Sequence, residues 1–143
     1  MTRKKLRALP GDTQGAALIE FAILAPAIFA MMFGVLQVGY HMLAYNAVRA
    51  VVSDTARYTI IEYQKQVMLT TTQIEDKAEA YAVNAPYGLN AASLTATATK
   101  PVTDIAGTTK FMLTLTYVPA SFLGFMNIGS PTITVTRPVY VAF

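Results

Sequence analysis

The chain has 143 residues, enough for one domain, and 13% of them are charged. Its mean hydropathy of +0.42 is too high for an ordinary soluble domain and indicates one membrane helix joined to a small folded part. The absence of cysteine from the sequence excludes disulfides, thiolate metal sites and cysteine nucleophiles.

The positive charge is concentrated in residues 1–15, which we interpret as a basic cytoplasmic leader. Four basic residues and one acid there account for the net charge of +3 of the whole chain: Arg3, Lys4, Lys5, Arg7 and Asp12. The remainder is therefore neutral with scattered basic residues, and we expect no nucleic-acid partner. A basic flank before an apolar helix predicts a cytoplasmic N-terminus and a periplasmic C-terminal part in a bacterial inner membrane.

An apolar run follows the leader. No charged residue occurs from Phe21 to Val48, and Ala22 to Tyr40 nearly supplies the roughly 20 residues that cross a bilayer. A cleaved secretory signal fits poorly, because the candidate small-x-small site, Ala25-Pro26-Ala27, lies inside the run. A plain signal anchor explains the apolar run and the basic flank, but it does not explain Glu20, a carboxylate at the mouth of the span.

The segment from Gly15 to Phe21 resembles the processing site of type IV prepilins, in which a peptidase cuts after a glycine and a glutamate stands five residues further on. This resemblance implies cleavage between Gly15 and Ala16 by a prepilin peptidase. It also implies that Glu20 and Phe21 set the register of assembly, since the new α-ammonium of Ala16 would neutralise the Glu20 carboxylate.

A narrower resemblance is to the TadE-like family, pseudopilins of tight-adherence (Flp-type) pilus assembly. The matching residues are Gly15-Ala16-Ala17-Leu18-Ile19-Glu20-Phe21-Ala22-Ile23-Leu24-Ala25-Pro26 and Phe33-Gly34-Val35-Leu36-Gln37-Val38-Gly39. The resemblance implies a minor pilin or pseudopilin that works with other pilin subunits and an inner-membrane assembly platform. Ala56-Arg57-Tyr58 matches the family's later arginine motif, but Ser53-Asp54-Thr55 departs from it.

We predict one helix over residues 16–63, which spans the lipid bilayer and continues as a periplasmic stalk. In the stalk, apolar residues recur every three or four positions and predict a stripe that packs on the chain's own domain, with a partner surface as the alternative. The stripe comprises Ala44, Val48, Val51, Thr55 and Tyr58. On another face, Asp54 can reach Arg57.

Pro26 lies within the span and is expected to kink or locally unwind the helix near Ala22. Ala22, Pro26, Ala30 and Gly34 recur every four residues, a spacing that lets another helix approach closely. Chance is the alternative, because alanine is common in membrane spans.

Three side chains, Tyr40, His41 and Tyr45, are expected at the outer membrane interface. His41 is the only histidine and has no second histidine or cysteine with which to hold a metal.

We expect residues 64–143 to form a periplasmic α+β domain. Thr72 and Glu75 have capping-box spacing and predict a second, short helix that ends near Asn84. Its acidic residues, Glu75, Asp76 and Glu79, suit the first turn of a helix better than a cation site.

Alternating residues then predict a small antiparallel sheet with strands at residues 94–99, 111–118 and 132–136. A turn over residues 104–109 joins the first two strands. Pro138 restricts the last strand to a sheet edge or ends it. The whole is a membrane-anchored, pilin-like α+β fold.

The segment Ser121–Gly129, hereafter the apolar loop, is unusually rich in apolar residues. Covering the open end of the core is the preferred interpretation. The alternatives are that the loop contacts a membrane surface or that it contacts a partner protein.

The sequence shows no nucleophile–base pair, metal-ligand spacing or glycine-rich phosphate loop, so we expect no enzyme, no cofactor and no bound metal. The favoured function is a peptidase-processed pseudopilin. The alternative is an uncleaved, single-pass periplasmic binding or scaffold protein.

Overall fold

The computed structural model describes residues 13–103 and 105–142, so the predicted leader falls almost entirely outside the described residues, as does Asp104 in the predicted turn. Two helices and three strands follow one another along the chain. They are α1 (Thr13–Gln64), α2 (Thr71–Val83), β1 (Leu94–Thr99), β2 (Thr108–Tyr117) and β3 (Ile133–Ala142). The predicted α+β fold, with a long apolar helix, a short helix and an antiparallel sheet, is confirmed.

α1 extends the predicted helix by a few residues at its start and one at its end. Pro26 lies inside it, and the helix continues without interruption through this position, so local unwinding near Ala22 does not occur and a kink at Pro26 stays a prediction. A proline removes one backbone hydrogen bond and crowds one carbonyl, whereas the flanking alanine, leucine and isoleucine residues retain their own bonds and keep the helix continuous.

The C-terminal half of α1 packs on the domain, as predicted for the stalk stripe. α1 covers β3 and part of β2, while α2 covers β1, so both helices lie on one face of the sheet. The buried α1 side chains are Ala44, Val48, Val51, Val52, Thr55, Ala56, Thr59 and Tyr63, with Tyr58 half-buried. The two buried threonine hydroxyls are satisfied within the helix: Thr55 donates to the Val51 carbonyl at 2.8 Å and Thr59 to the Thr55 carbonyl at 2.9 Å.

The N-cap of α2 lies two residues before the predicted one. The side chain of Thr70, not Thr72, accepts from the Gln73 amide, and the Gln73 side chain accepts from the Thr70 amide at 2.9 Å. Glu75 is used elsewhere, because its carboxylate accepts the Ala98 amide of β1 at 2.6 Å. α2 thus satisfies a backbone donor on the open edge of the sheet, and the predicted helix end near Asn84 is confirmed.

The sheet has the order β1-β2-β3 with both pairs antiparallel. Every second residue of β2 is buried against the helices: Phe111, Leu113, Leu115 and Tyr117. β3 runs well past the predicted end, and Pro138 pairs with Met112 in its middle. β3 is an edge strand, where a proline need remove no bond from the ladder, so the edge alternative is confirmed.

Two contacts between α1 and β2 fix the direction of the domain relative to the apolar half of α1. The Phe111 ring near the start of β2 contacts Tyr63 at 5.7 Å, whereas Tyr117 at its end forms a hydrogen bond with Tyr40. The β2–β3 connection therefore lies beside the apolar half of α1, and the β1–β2 connection lies at the far end of the domain.

Candidate functional site

The N-terminal half of α1 exposes the apolar surface expected of a membrane span. The most apolar 18-residue window of the helix has a mean hydropathy of 2.2, and none of it is buried against the rest of the chain. Large apolar side chains point outward on all sides: Leu18, Ile19, Phe21, Ile23, Leu24, Ile28, Phe29, Met31, Met32, Val35, Leu36 and Val38. A helix that is apolar all round and unburied by its own chain is a candidate membrane anchor.

The predicted processing and register residues all lie in the first turns of α1. Glu20 and Phe21 are exposed. Ala16 and Glu20 are four residues apart and so lie on the same face of the helix. An α-ammonium created at Ala16 would therefore stand one helical turn from the Glu20 carboxylate.

The predicted small-residue face is aligned along α1 and is not packed by another element. Ala22 and Pro26 are exposed, and Ala30 and Gly34 are half-buried among side chains of the helix. A Cβ atom added at Gly34 would meet no heavy atom within 4 Å outside its own helical backbone. The face is open to a second helix, and its role in packing stays a prediction.

The predicted interfacial residues lie where the apolar half of α1 meets the domain. Tyr40 contacts Phe122 edge-on at 5.5 Å and forms a hydrogen bond with Tyr117. Burial, and then this hydrogen bond, raise the pKa of Tyr117. His41 is half-buried, and its Nδ1 atom has no hydrogen-bond partner among the described residues.

Gln37 is a functional candidate that the sequence analysis missed. Its side-chain oxygen accepts the Phe122 amide at 2.6 Å, and its Nε2 donates to the Ala120 carbonyl at 3.3 Å and to Ser130 Oγ at 3.1 Å. One amide thus holds both ends of the apolar loop against the span. A signal was present, because Gln37 is the only side chain with a polar amide in the charge-free run before Tyr40.

The apolar loop contacts the apolar half of α1, and its covering of the core stays a prediction. The loop lies along α1, with Phe125 contacting Phe33 edge-on at 6.0 Å, and none of its residues is buried. Its contacts to Phe33, Gln37 and Tyr40 place it beside the apolar half of α1.

Two polar contacts between elements orient the domain on α1. The Tyr87 hydroxyl donates to Asp54 at 2.6 Å, which raises the pKa of Tyr87. Asp54 therefore accepts this hydrogen bond and forms no ion pair with Arg57 within the described chain, contrary to the predicted pairing. Arg137 of β3 donates to Ser53 at 2.7 Å.

A groove of about 420 Å³ lies between α1 and the segment after α2. Its lining contains only tyrosine as an ionisable residue: Tyr40, Leu43, Ala44, Asn46, Ala47, Pro86, Tyr87, Gly88 and Leu89. No cluster of metal-ligating side chains occurs among the residues that the structure describes.

A helix whose N-terminal half is apolar and unburied, and which continues without interruption into a small α+β domain, gives the chain the layout of a candidate single-pass membrane-anchored protein. Residues 15–57 match the family model described as TadE-like protein. The match covers less than half of the chain, and over these residues it confirms the resemblance to the TadE-like family. Neither a curated protein nor a solved structure matches the chain significantly.

Proposed function

We propose that the protein is a minor pseudopilin that acts in assembly of a Tad (Flp-type IV) pilus. In this proposal α1 anchors it in the bacterial inner membrane, the N-terminus is cytoplasmic and the α+β domain is periplasmic. A prepilin peptidase removes the leader after Gly15, which leaves Ala16 as the new N-terminus.

The observation that best supports this proposal is the placement of Gly15, Ala16 and Glu20 at the start of an unburied apolar helix. A plain anchor has no use for a carboxylate there, since an ionised side chain costs about 2.5–3.5 kcal/mol at the bilayer centre and less near the interface. An α-ammonium four residues away, on the same molecule or on a neighbouring one, offsets that cost. This favours the processed protein over an uncleaved scaffold protein.

The domain supports a minor rather than a major role in the filament. Major subunits of this pilus family are described as little more than the helix, whereas this chain adds a sheet and a second helix. The open face at Ala22, Pro26, Ala30 and Gly34 suits packing on other pilin helices or on the inner-membrane assembly platform. We propose a non-enzymatic role without a cofactor, consistent with the mainly apolar lining of the groove.

The first test is the intact mass and N-terminal peptide of the protein extracted from host membranes. We expect a mature chain that begins at Ala16. A chain that retains the leader in cells with an active prepilin peptidase would contradict the proposal and favour the uncleaved scaffold.

The second test compares two carboxylates. The variant Glu20→Ala is expected to accumulate in the membrane but to abolish piliation, because the charge pair that sets the register is lost. Glu79→Ala, on the exposed side of α2, is the matched control and should support piliation normally. Normal piliation in the Glu20 variant would contradict the assigned role.

A further inference from the structure

We propose that the apolar loop is a second membrane-contacting element. In this proposal Phe125, Met126 and Ile128 insert among the acyl chains of the leaflet nearest the domain. The inference rests on the anchoring of α1 in the bilayer. It does not depend on cleavage after Gly15 or on a role in the pilus.

Depth along α1 is the first argument. At 1.5 Å per residue, Phe33 lies about 20 Å and Tyr40 about 30 Å along the axis from Glu20. The hydrocarbon layer is about 30 Å thick. With Glu20 at one boundary, the Phe33–Phe125 contact lies within the hydrocarbon and the Tyr40–Phe122 contact at its edge.

The side chains of the apolar loop are the second argument. Phe125 is 71% exposed, Met126 and Ile128 are each 47% exposed, and no charged residue occurs between Lys110 and Arg137. Exposed apolar side chains in water favour burial by about 25 cal/mol per Å². Here they continue the lipid-facing surface of α1 next to Phe33, so the acyl chains that cover α1 also reach them.

The backbone of the apolar loop is the third argument, because irregular backbone at membrane depth needs hydrogen-bond partners. The Phe122 amide donates to Gln37 and the Leu123 amide donates to Ser121 Oγ. The amides of Met126, Asn127 and Ile128 donate to carbonyls within the loop, and Ser121 Oγ donates to the Ile128 carbonyl at 2.6 Å. Five of the nine amides of the loop thus have a partner within the loop or on α1, and its exposed surface includes the side chains of Phe125, Met126 and Ile128.

The chain contains no tryptophan, so single-tryptophan variants give a direct test of depth. The full chain carrying Phe125→Trp is reconstituted at high dilution in phosphatidylcholine vesicles whose acyl chains carry bromine, which quenches tryptophan on contact. We expect loss of most of its emission, a blue-shifted maximum and little quenching by aqueous acrylamide. Ile128→Trp provides a second position in the loop and should respond in the same way.

Two further variants calibrate the measurement. Phe29→Trp lies within the span and should be quenched by the brominated lipid. Val102→Trp replaces a 93% exposed residue at the far end of the domain and should be quenched only by acrylamide.

Emission from Phe125→Trp that resists bromine while Phe29→Trp is quenched would overturn the inference and leave the anchor intact. In that case, access to acrylamide would indicate a loop in water, and shielding from both quenchers would indicate a second copy or another protein on the loop. Resistance to bromine at Phe29→Trp as well would remove the anchor, and with it both this inference and the proposed location of the protein.

Discussion

The two halves of α1 differ both in composition and in what surrounds their side chains. From Leu18 to Leu43 the large apolar residues are exposed on every side of the helix. From Ala44 to Tyr63 one stripe is fully buried against α2 and the sheet, and charged or polar residues occupy the other faces. One half of this continuous helix has a surface suited to a lipid bilayer, and the other half is packed in a protein core.

The type of a residue in α1 does not by itself decide whether its side chain is buried. Val35 and Val48 are the same residue on the same helix, yet Val35 is 75% exposed and Val48 is completely buried. Val48 belongs to the core between the helices and the sheet, whereas Val35 has no domain beside it. The change occurs between Leu43 and Ala44, one helical turn beyond Tyr40, where the apolar loop contacts the helix.

The largest expected effect is on membrane integration, when charge is introduced into the first half of α1. The double variant Ile28→Asp with Met32→Asp places two carboxylates near the middle of the span, at about 2.5–3.5 kcal/mol each. We expect most of the protein to lose its resistance to alkaline extraction from membranes. Ile61→Asp with Met68→Asp, two exposed positions in the second half and just beyond it, is the control and should remain integrated. Full integration of the first pair would mean that α1 does not span the bilayer.

A large effect on stability is expected in the core that packs against the second half of α1. Phe111→Ala should lower the free energy of unfolding of the domain by about 3–5 kcal/mol, because a buried ring is replaced by a cavity. Denaturant titration in detergent, followed by tyrosine fluorescence, measures this. Leu24→Ala, in the lipid-facing half, should leave domain stability unchanged. Equal losses for the two variants would remove the distinction between the halves.

The smallest effect tests the start of α2, which covers the sheet beside the second half of α1. Thr70→Ala should cost about 1 kcal/mol of domain stability, since the Gln73 amide loses its cap. Thr72→Ala should change stability by less than about 0.5 kcal/mol, as is usual for an exposed position. The reverse order in the same denaturant titration would restore the cap expected from the sequence.

The sequence was sufficient for features with local periodicity. The apolar run predicted α1, the stripe from Ala44 to Thr55 predicted the buried face, and alternation predicted the inner face of β2. The cap at Thr70 was missed because Thr70 with Gln73 and Thr72 with Glu75 have the same capping-box spacing. The Glu75 carboxylate instead accepts the Ala98 amide of β1, a contact that no local pattern predicts. The candidate processing residues were recognisable from a motif, whereas no local pattern reveals that Gln37 binds a loop more than eighty residues away.

The absence of any linker between the two halves of α1 has a mechanical consequence. With 52 residues, α1 is about 78 Å long, and about 35 Å of it extends from Tyr40 to Tyr63 along the domain. Membrane helices tilt by about 20° on average, and such a tilt would displace the far end of that section sideways by about 12 Å. α1 is therefore a lever, through which a neighbouring helix or a change in bilayer thickness repositions the distal surface of the domain.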